Sequence, residues 1–125
     1  MKLRMLSTVI LLASALVSAV LAGTAPTNTH IAIIEYAFEP ADQAITTGDS
    51  ITWQNDGQEP HNIVDAGGAW ESPALSSGQT YTFTFTTPGA YTYYCTIHSG
   101  MLGTITVTDA PSQPQTKLYI AIIQR

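Results

Sequence analysis

Short apolar or alternating runs, separated by turn residues, fill most of the chain from residue 31 to residue 108. Ile31 to Tyr36 is apolar and β-branched and reads as a first strand. Phe38-Glu39-Pro40 breaks it, and Gln43 to Thr47 forms a second short strand. Gly48-Asp49 marks a turn. Ser50-Ile51-Thr52-Trp53-Gln54 then alternates, which places Ile51 and Trp53 on an inward face. Asn55-Asp56-Gly57 turns the chain again. Pro60 precedes a strand start at His61-Asn62-Ile63-Val64. Asp65 to Ser77 reads as a loop, pinned to the core by Trp70 and Leu75. Thr80 to Thr86 sets Tyr81, Phe83 and Phe85 against threonines. Tyr91 to Cys95 sets Tyr91, Tyr93 and Cys95 on one face. Gly103 to Thr108 closes the series with Ile105 and Val107 inward. No segment carries a helical period long enough to use. The pattern predicts an all-β sandwich or barrel of about seven to eight strands.

The two ends do not fit this pattern. Lys2 and Arg4 precede an apolar run from Leu6 to Leu21, and Val20 and Ala22 are small. That is the layout of an export signal, with cleavage expected after Ala22. An uncleaved N-terminus, associated with a membrane, is the other reading, since the run is near the lower length limit of a span. Removing residues 1–22 leaves 103 of 125 residues, enough for one modest core. The domain is expected over residues 23–109. Residues 110–125 begin as a Pro- and Gln-rich linker and end in Leu118-Tyr119-Ile120-Ala121-Ile122-Ile123. That apolar segment is too short to cross a bilayer.

Charge narrows the partners. Past residue 22 the chain carries nine acidic residues and two basic ones, Lys117 and Arg125, a formal charge of −7. Nucleic acid, which requires a basic face, is excluded as a partner. A basic partner is favoured, and a monomer is expected.

Candidate chemistry sits in Cys95-Thr96-Ile97-His98-Ser99-Gly100-Met101. An exported chain with a single cysteine has no internal disulfide, so the thiol needs another purpose. Metal coordination is one such purpose, and simple burial is the other. A thiolate, an imidazole and a thioether form a soft donor set that suits copper. A trigonal site of two histidines and one cysteine, with a weak axial methionine, describes blue-copper centres. His61 stands in a turn and strand context and is the candidate for the second histidine. His30, at the end of a loose N-terminal stretch, reads as a surface residue.

These residues resemble the cupredoxins, the small blue copper proteins, and look most like the amicyanin and plastocyanin types. The likeness is carried by Phe38 and Pro40, by Gly48 to Asn55, by Pro60-His61-Asn62, by Gly89 to Met101 and by Gly103 to Val107. Two residues between His98 and Met101 match the short amicyanin-type loop; plastocyanins place four there. The resemblance implies a Greek-key sandwich and one type 1 copper ion bound by His61, Cys95, His98 and Met101. It implies that His61 is the interior ligand and His98 the surface electron port. It implies that Asn62 ties the two ligand loops together and that Tyr91 occupies the tyrosine-corner position. Ile97 departs from the proline many relatives carry between cysteine and histidine, which leaves the loop softer.

The implied function is one-electron transport between redox partners outside the cytoplasm, in the periplasm or at the extracellular face of the membrane. Copper handling without an electron-shuttle role is the alternative. An enzyme is not expected. Cys95 and His98 share a short loop with no visible oxyanion hole. The chain also lacks the histidines for a second copper and the second cysteine for a dinuclear centre.

Overall fold

The computed structural model describes residues 23–112. The expected export signal at 1–22 and the apolar tail segment lie outside those residues. The described chain forms eight strands: β1 Asn28–Ile34, β2 Ala37–Glu39, β3 Asp42–Thr46, β4 Ser50–Asn55, β5 Val64–Asp65, β6 Thr80–Thr84, β7 Gly89–Tyr94 and β8 Leu102–Thr108. They make two four-stranded sheets, ordered β2-β1-β4-β6 and β3-β8-β7-β5. Both sheets are mixed, because β1 runs parallel to β4 and β3 runs parallel to β8.

The alternation expected from the sequence sets the core. Ile31, Ile33, Ile51 and Trp53 face inward from the first sheet, and Tyr93, Ile105 and Val107 from the second. Trp70 and Leu75 pin the long loop as expected, at 5% and 3% exposure. Trp70 stacks on Trp53 with ring centroids 5.9 Å apart, and Phe85 meets Trp70 edge-on at 5.1 Å. Burial of such large aromatic surfaces is the main favourable term. The Tyr91 hydroxyl donates to the Thr87 carbonyl at 2.7 Å, the bond of a tyrosine corner.

Most strand ends shift by one to three residues from the sequence reading, β1 starting at Asn28 and β5 covering only Val64–Asp65, and the region after β1 differs in topology. The first strand ends at Ile34 rather than Tyr36, and Phe38-Glu39 does not break the sheet. Ala37–Glu39 instead returns as β2, antiparallel to β1, with Ile34 opposite Ala37. Tyr36, at a φ of 66°, makes the tight reversal possible. Pro40 follows an edge strand, where a missing N–H costs no ladder bond. His30 lies within β1 opposite Thr52, and its side chain is exposed.

All nine acidic residues of the chain fall within residues 23–112, and no lysine or arginine does. Asp49 is the acidic group the fold uses most. Its carboxylate accepts Thr27 N–H at 2.7 Å, Thr46 N–H at 2.9 Å and the Thr46 hydroxyl at 3.0 Å. The backbone bonds from Thr27 and Thr46 hold its pKa below the usual value of 3.8, against a smaller opposing effect of burial. A depressed carboxylate stabilises the fold fully above its unfolded pKa and gives that up as pH falls through its folded pKa. Asp49→Ala is expected to cost about 1–2 kcal/mol at pH 7. The gap to the parent protein should narrow below about pH 4 in denaturant titrations at several pH values. A gap constant from pH 7 to pH 2 would show that the ionised form is not what matters.

Candidate metal centre

Two connections at one end of the sandwich carry the candidate ligands. The first is the segment from β4 to β5, which contains His61. It is held as a bridge against Leu75: His61 N–H donates to Leu75 C=O at 3.1 Å, and Leu75 N–H to His61 C=O at 2.7 Å. Asn55, fully buried at the end of β4, braces the same segment. Its Nδ2 donates to the Glu59 and Leu75 carbonyls, both at 2.8 Å, and its Oδ1 accepts Gly57 N–H at 2.9 Å.

The second connection is the loop from β7 to β8. Cys95 N–H donates to the Met101 carbonyl at 3.2 Å, which closes the loop at its base. Asn62 joins the two connections. Thr96 N–H and the Thr96 hydroxyl donate to Asn62 Oδ1 at 2.8 and 3.1 Å, and Asn62 Nδ2 donates to Thr96 Oγ1 at 2.8 Å. The tie expected of Asn62 is present.

The fold brings His61, Cys95 and His98 together, with their ligand atoms all within 4.8 Å of one another. His61 Nδ1 and His98 Nδ1 are 3.1 Å apart, and Cys95 Sγ lies 4.0 and 3.9 Å from them. A first-row ion takes imidazole nitrogen at about 2.0–2.1 Å and thiolate sulfur at about 2.3 Å. Nitrogen and sulfur bound to one such ion are therefore at most about 4.4 Å apart, and these separations fit. Met101 is buried at 1% exposure and packs in the same core cluster as Cys95.

The donor set fits copper as well as the spacing does. His61 is fully buried, with Nδ1 turned to the cluster and Nε2 lacking a hydrogen-bond partner among the described residues. A buried imidazole so placed needs a reason. Burial lowers its pKa first, and the positive form of His98 lowers it further; Glu35 and Glu59 oppose this weakly. The ring is thereby kept neutral, the form that can coordinate. Cys95 is 4% exposed, whereas His98 is only half-buried. The set runs from an enclosed side to a solvent-facing side.

A family model described as copper binding proteins, plastocyanin/azurin family, matches residues 25–108. The chain belongs to the plastocyanin/azurin family of copper-binding proteins. This cupredoxin is 40% identical to the plastocyanin of Prochlorothrix hollandica over 116 residues, covering 82% of this chain and 88% of the relative. It is 35% identical to amicyanin-alpha of Methylorubrum extorquens over 85 residues, covering 64% of this chain and 71% of the relative. Among solved structures it is similar to a purple cupredoxin from Nitrosopumilus maritimus. That likeness has a TM-score of 0.60 and 31% identity, over 64% of this chain and 99% of the other.

Three contributors to the cupredoxin site escaped the sequence reading. Asn55 was legible as a turn residue only. The signal was its register, since Ile51, Trp53 and Asn55 share the inward face and a polar residue there must be bonded. Glu35 accepts Gln58 N–H and so ties the β1–β2 turn to the segment before His61. Tyr36 sets its ring against His98. Neither Glu35 nor Tyr36 carried a signal in the sequence, because both fell inside an expected strand.

Proposed function

We propose that this cupredoxin is a one-electron carrier, with type 1 copper held by His61, Cys95, His98 and Met101. The convergence of two histidine Nδ1 atoms and one cysteine sulfur on a single point carries this reading. Bound copper supplies the Cu(I)/Cu(II) couple. The chain supplies the rest. The His61–Leu75 bridge and the Asn62–Thr96 tie fix two ligand-bearing segments to rigid sheets. Little then has to move when the charge of the site changes. Burial of His61, Cys95 and Met101 excludes water from three sides. His98 is the route for electrons; exposed Ile97, next to it in the loop, and exposed Leu102, at the start of β8, can meet a partner over a small apolar contact.

The acidic domain favours redox partners with a basic face, bound in a salt-dependent way. We place the working protein outside the cytoplasm as a monomer. It would be exported by residues 1–22 and folded over 23–109, with 110–125 as linker and tail. It carries electrons and transforms no substrate, in keeping with relatives named plastocyanin and amicyanin.

The test is the visible and electron spin resonance spectrum with one equivalent of Cu(II), beside Cys95→Ala. An intense thiolate-to-copper band is expected that bleaches with reductant, returns with oxidant and is missing in the variant. Colourless metal binding would instead indicate copper handling. Absence of binding would overturn the ligand assignment.

A further inference from the structure

The turn between β1 and β2 holds a residue that local preference does not explain. Tyr36 sits at a φ of 66°. This is the left-handed region, where a bulky side chain is an outlier and glycine or asparagine costs less. Burial does not compensate, because Tyr36 is 61% exposed. Its ring does have one specific neighbour. It meets the His98 ring edge to face, with centroids 5.2 Å apart and planes at 85°. That is a favoured geometry for an aromatic pair.

His98 is the less secured of the two histidines. His61 is locked into a bridge and buried, but His98 lies at the middle of its loop. The backbone N–H groups of residues 97–100 have no hydrogen-bond partner among the described residues. Among the described residues, the backbone of the loop is fastened at its ends, through Thr96 and through the Cys95–Met101 bond. The turn bearing Tyr36 is better anchored. Glu35 takes the Gln58 N–H, and Asp56 N–H donates to the Ile33 carbonyl at 2.9 Å. One side of the His98 ring faces His61, with centroids 4.6 Å apart, and Tyr36 contacts it as well.

We infer that Tyr36 is a positioning residue for His98: its ring, held out by a strained but anchored turn, keeps the imidazole aimed at the Cys95–His61 point. The claim rests on the reading of His98 as a ligand. It concerns where the ring is held, and it is separate from any role of the exposed surface in partner contact.

The full chain is compared with Tyr36→Gly and Tyr36→Phe. Glycine relieves the backbone strain and removes the ring, whereas phenylalanine keeps both. In metal-free protein, imidazole NMR signals of His98 should be sharp and single in the parent and in Tyr36→Phe. They should broaden or double in Tyr36→Gly, with the His61 signals unchanged and the melting temperature no lower. In copper-loaded protein, Cu(I) should pass to a chelator about two- to tenfold faster from Tyr36→Gly, and at the parent's rate from Tyr36→Phe. Parent-like His98 signals and release in Tyr36→Gly would overturn the inference. So would broadening spread over both histidines with a lowered melt, or equal broadening in Tyr36→Phe. A parent protein without a copper–thiolate band would defeat the proposed function instead, and the metal-free spectra would still decide the role of Tyr36.

Discussion

Gly103→Ala is expected to be among the most damaging single changes in the domain. Gly103 lies in β8 opposite Tyr93 of β7, and the Tyr93 ring lies over it. A methyl group at Gly103 would stand 2.2 Å from Tyr93 Cζ, 2.4 Å from its hydroxyl oxygen and 2.6 Å from Cε1. Its φ lies outside the left-handed region, so the conflict is purely steric. The ring cannot step aside cheaply. Tyr93 is fully buried, 4.7 Å from Phe38 and 5.4 Å from Trp53 between ring centroids. Burial also drives its pKa up to about 12; the nearby Trp53 N–H opposes this slightly without reaching hydrogen-bond geometry. Overpacking of this kind costs about 1–3 kcal/mol and sometimes more. We expect the upper end, about 3 kcal/mol, by denaturant titration of metal-free protein. Adding Tyr93→Phe should not rescue it, because Cζ and Cε1 remain, whereas Tyr93→Leu should recover part. A loss below about 0.5 kcal/mol would show that the ring is free to move.

Asn62→Ala is expected to act on stability and on metal retention together. The side chain makes three hydrogen bonds to Thr96, and these join segments 34 residues apart in sequence. Thr96 is exposed, so water can replace part of what is lost. The stability cost is expected at about 1–3 kcal/mol. The larger effect should fall on the site. With the tie gone, the Cys95 loop keeps the bond to the Met101 carbonyl but loses its link to the His61 segment. Copper affinity is expected to fall about 10- to 100-fold in competition with a chelator, as for other residues that orient ligands. Unchanged affinity would mean that the sheets alone hold the loop.

The core was legible because period-two alternation is a direct consequence of strand geometry. Ile51 with Trp53 and Ile105 with Val107 were placed inward by counting, and Tyr93 and Cys95 were placed together on one face. The short strands were not. β2 has three residues and β5 has two, below the length at which alternation can be counted. β2 also depends on a tyrosine taking a backbone angle that no residue preference foretells. Of the proposed ligands, Cys95, His98 and Met101 were suggested by local spacing and His61 by its turn context, and the fold brings His61, Cys95 and His98 together. The contacts across the site were not readable, because Asn55, Glu35 and Tyr36 act on residues brought near them only by the fold.

The absence of lysine and arginine between residues 5 and 116 has a practical side. Trypsin cleaves after those two residues, so it finds nothing to cut within the domain, folded or unfolded. Resistance to that protease would therefore reveal nothing about compactness here, and digestion would release residues 5–117 of the full chain, or 23–117 after loss of residues 1–22, as one peptide. Amine-directed reagents are confined in the same way to Lys117 and the chain terminus once residues 1–22 are gone. A dye or surface linker attached through amines would thus leave every side chain of the domain untouched.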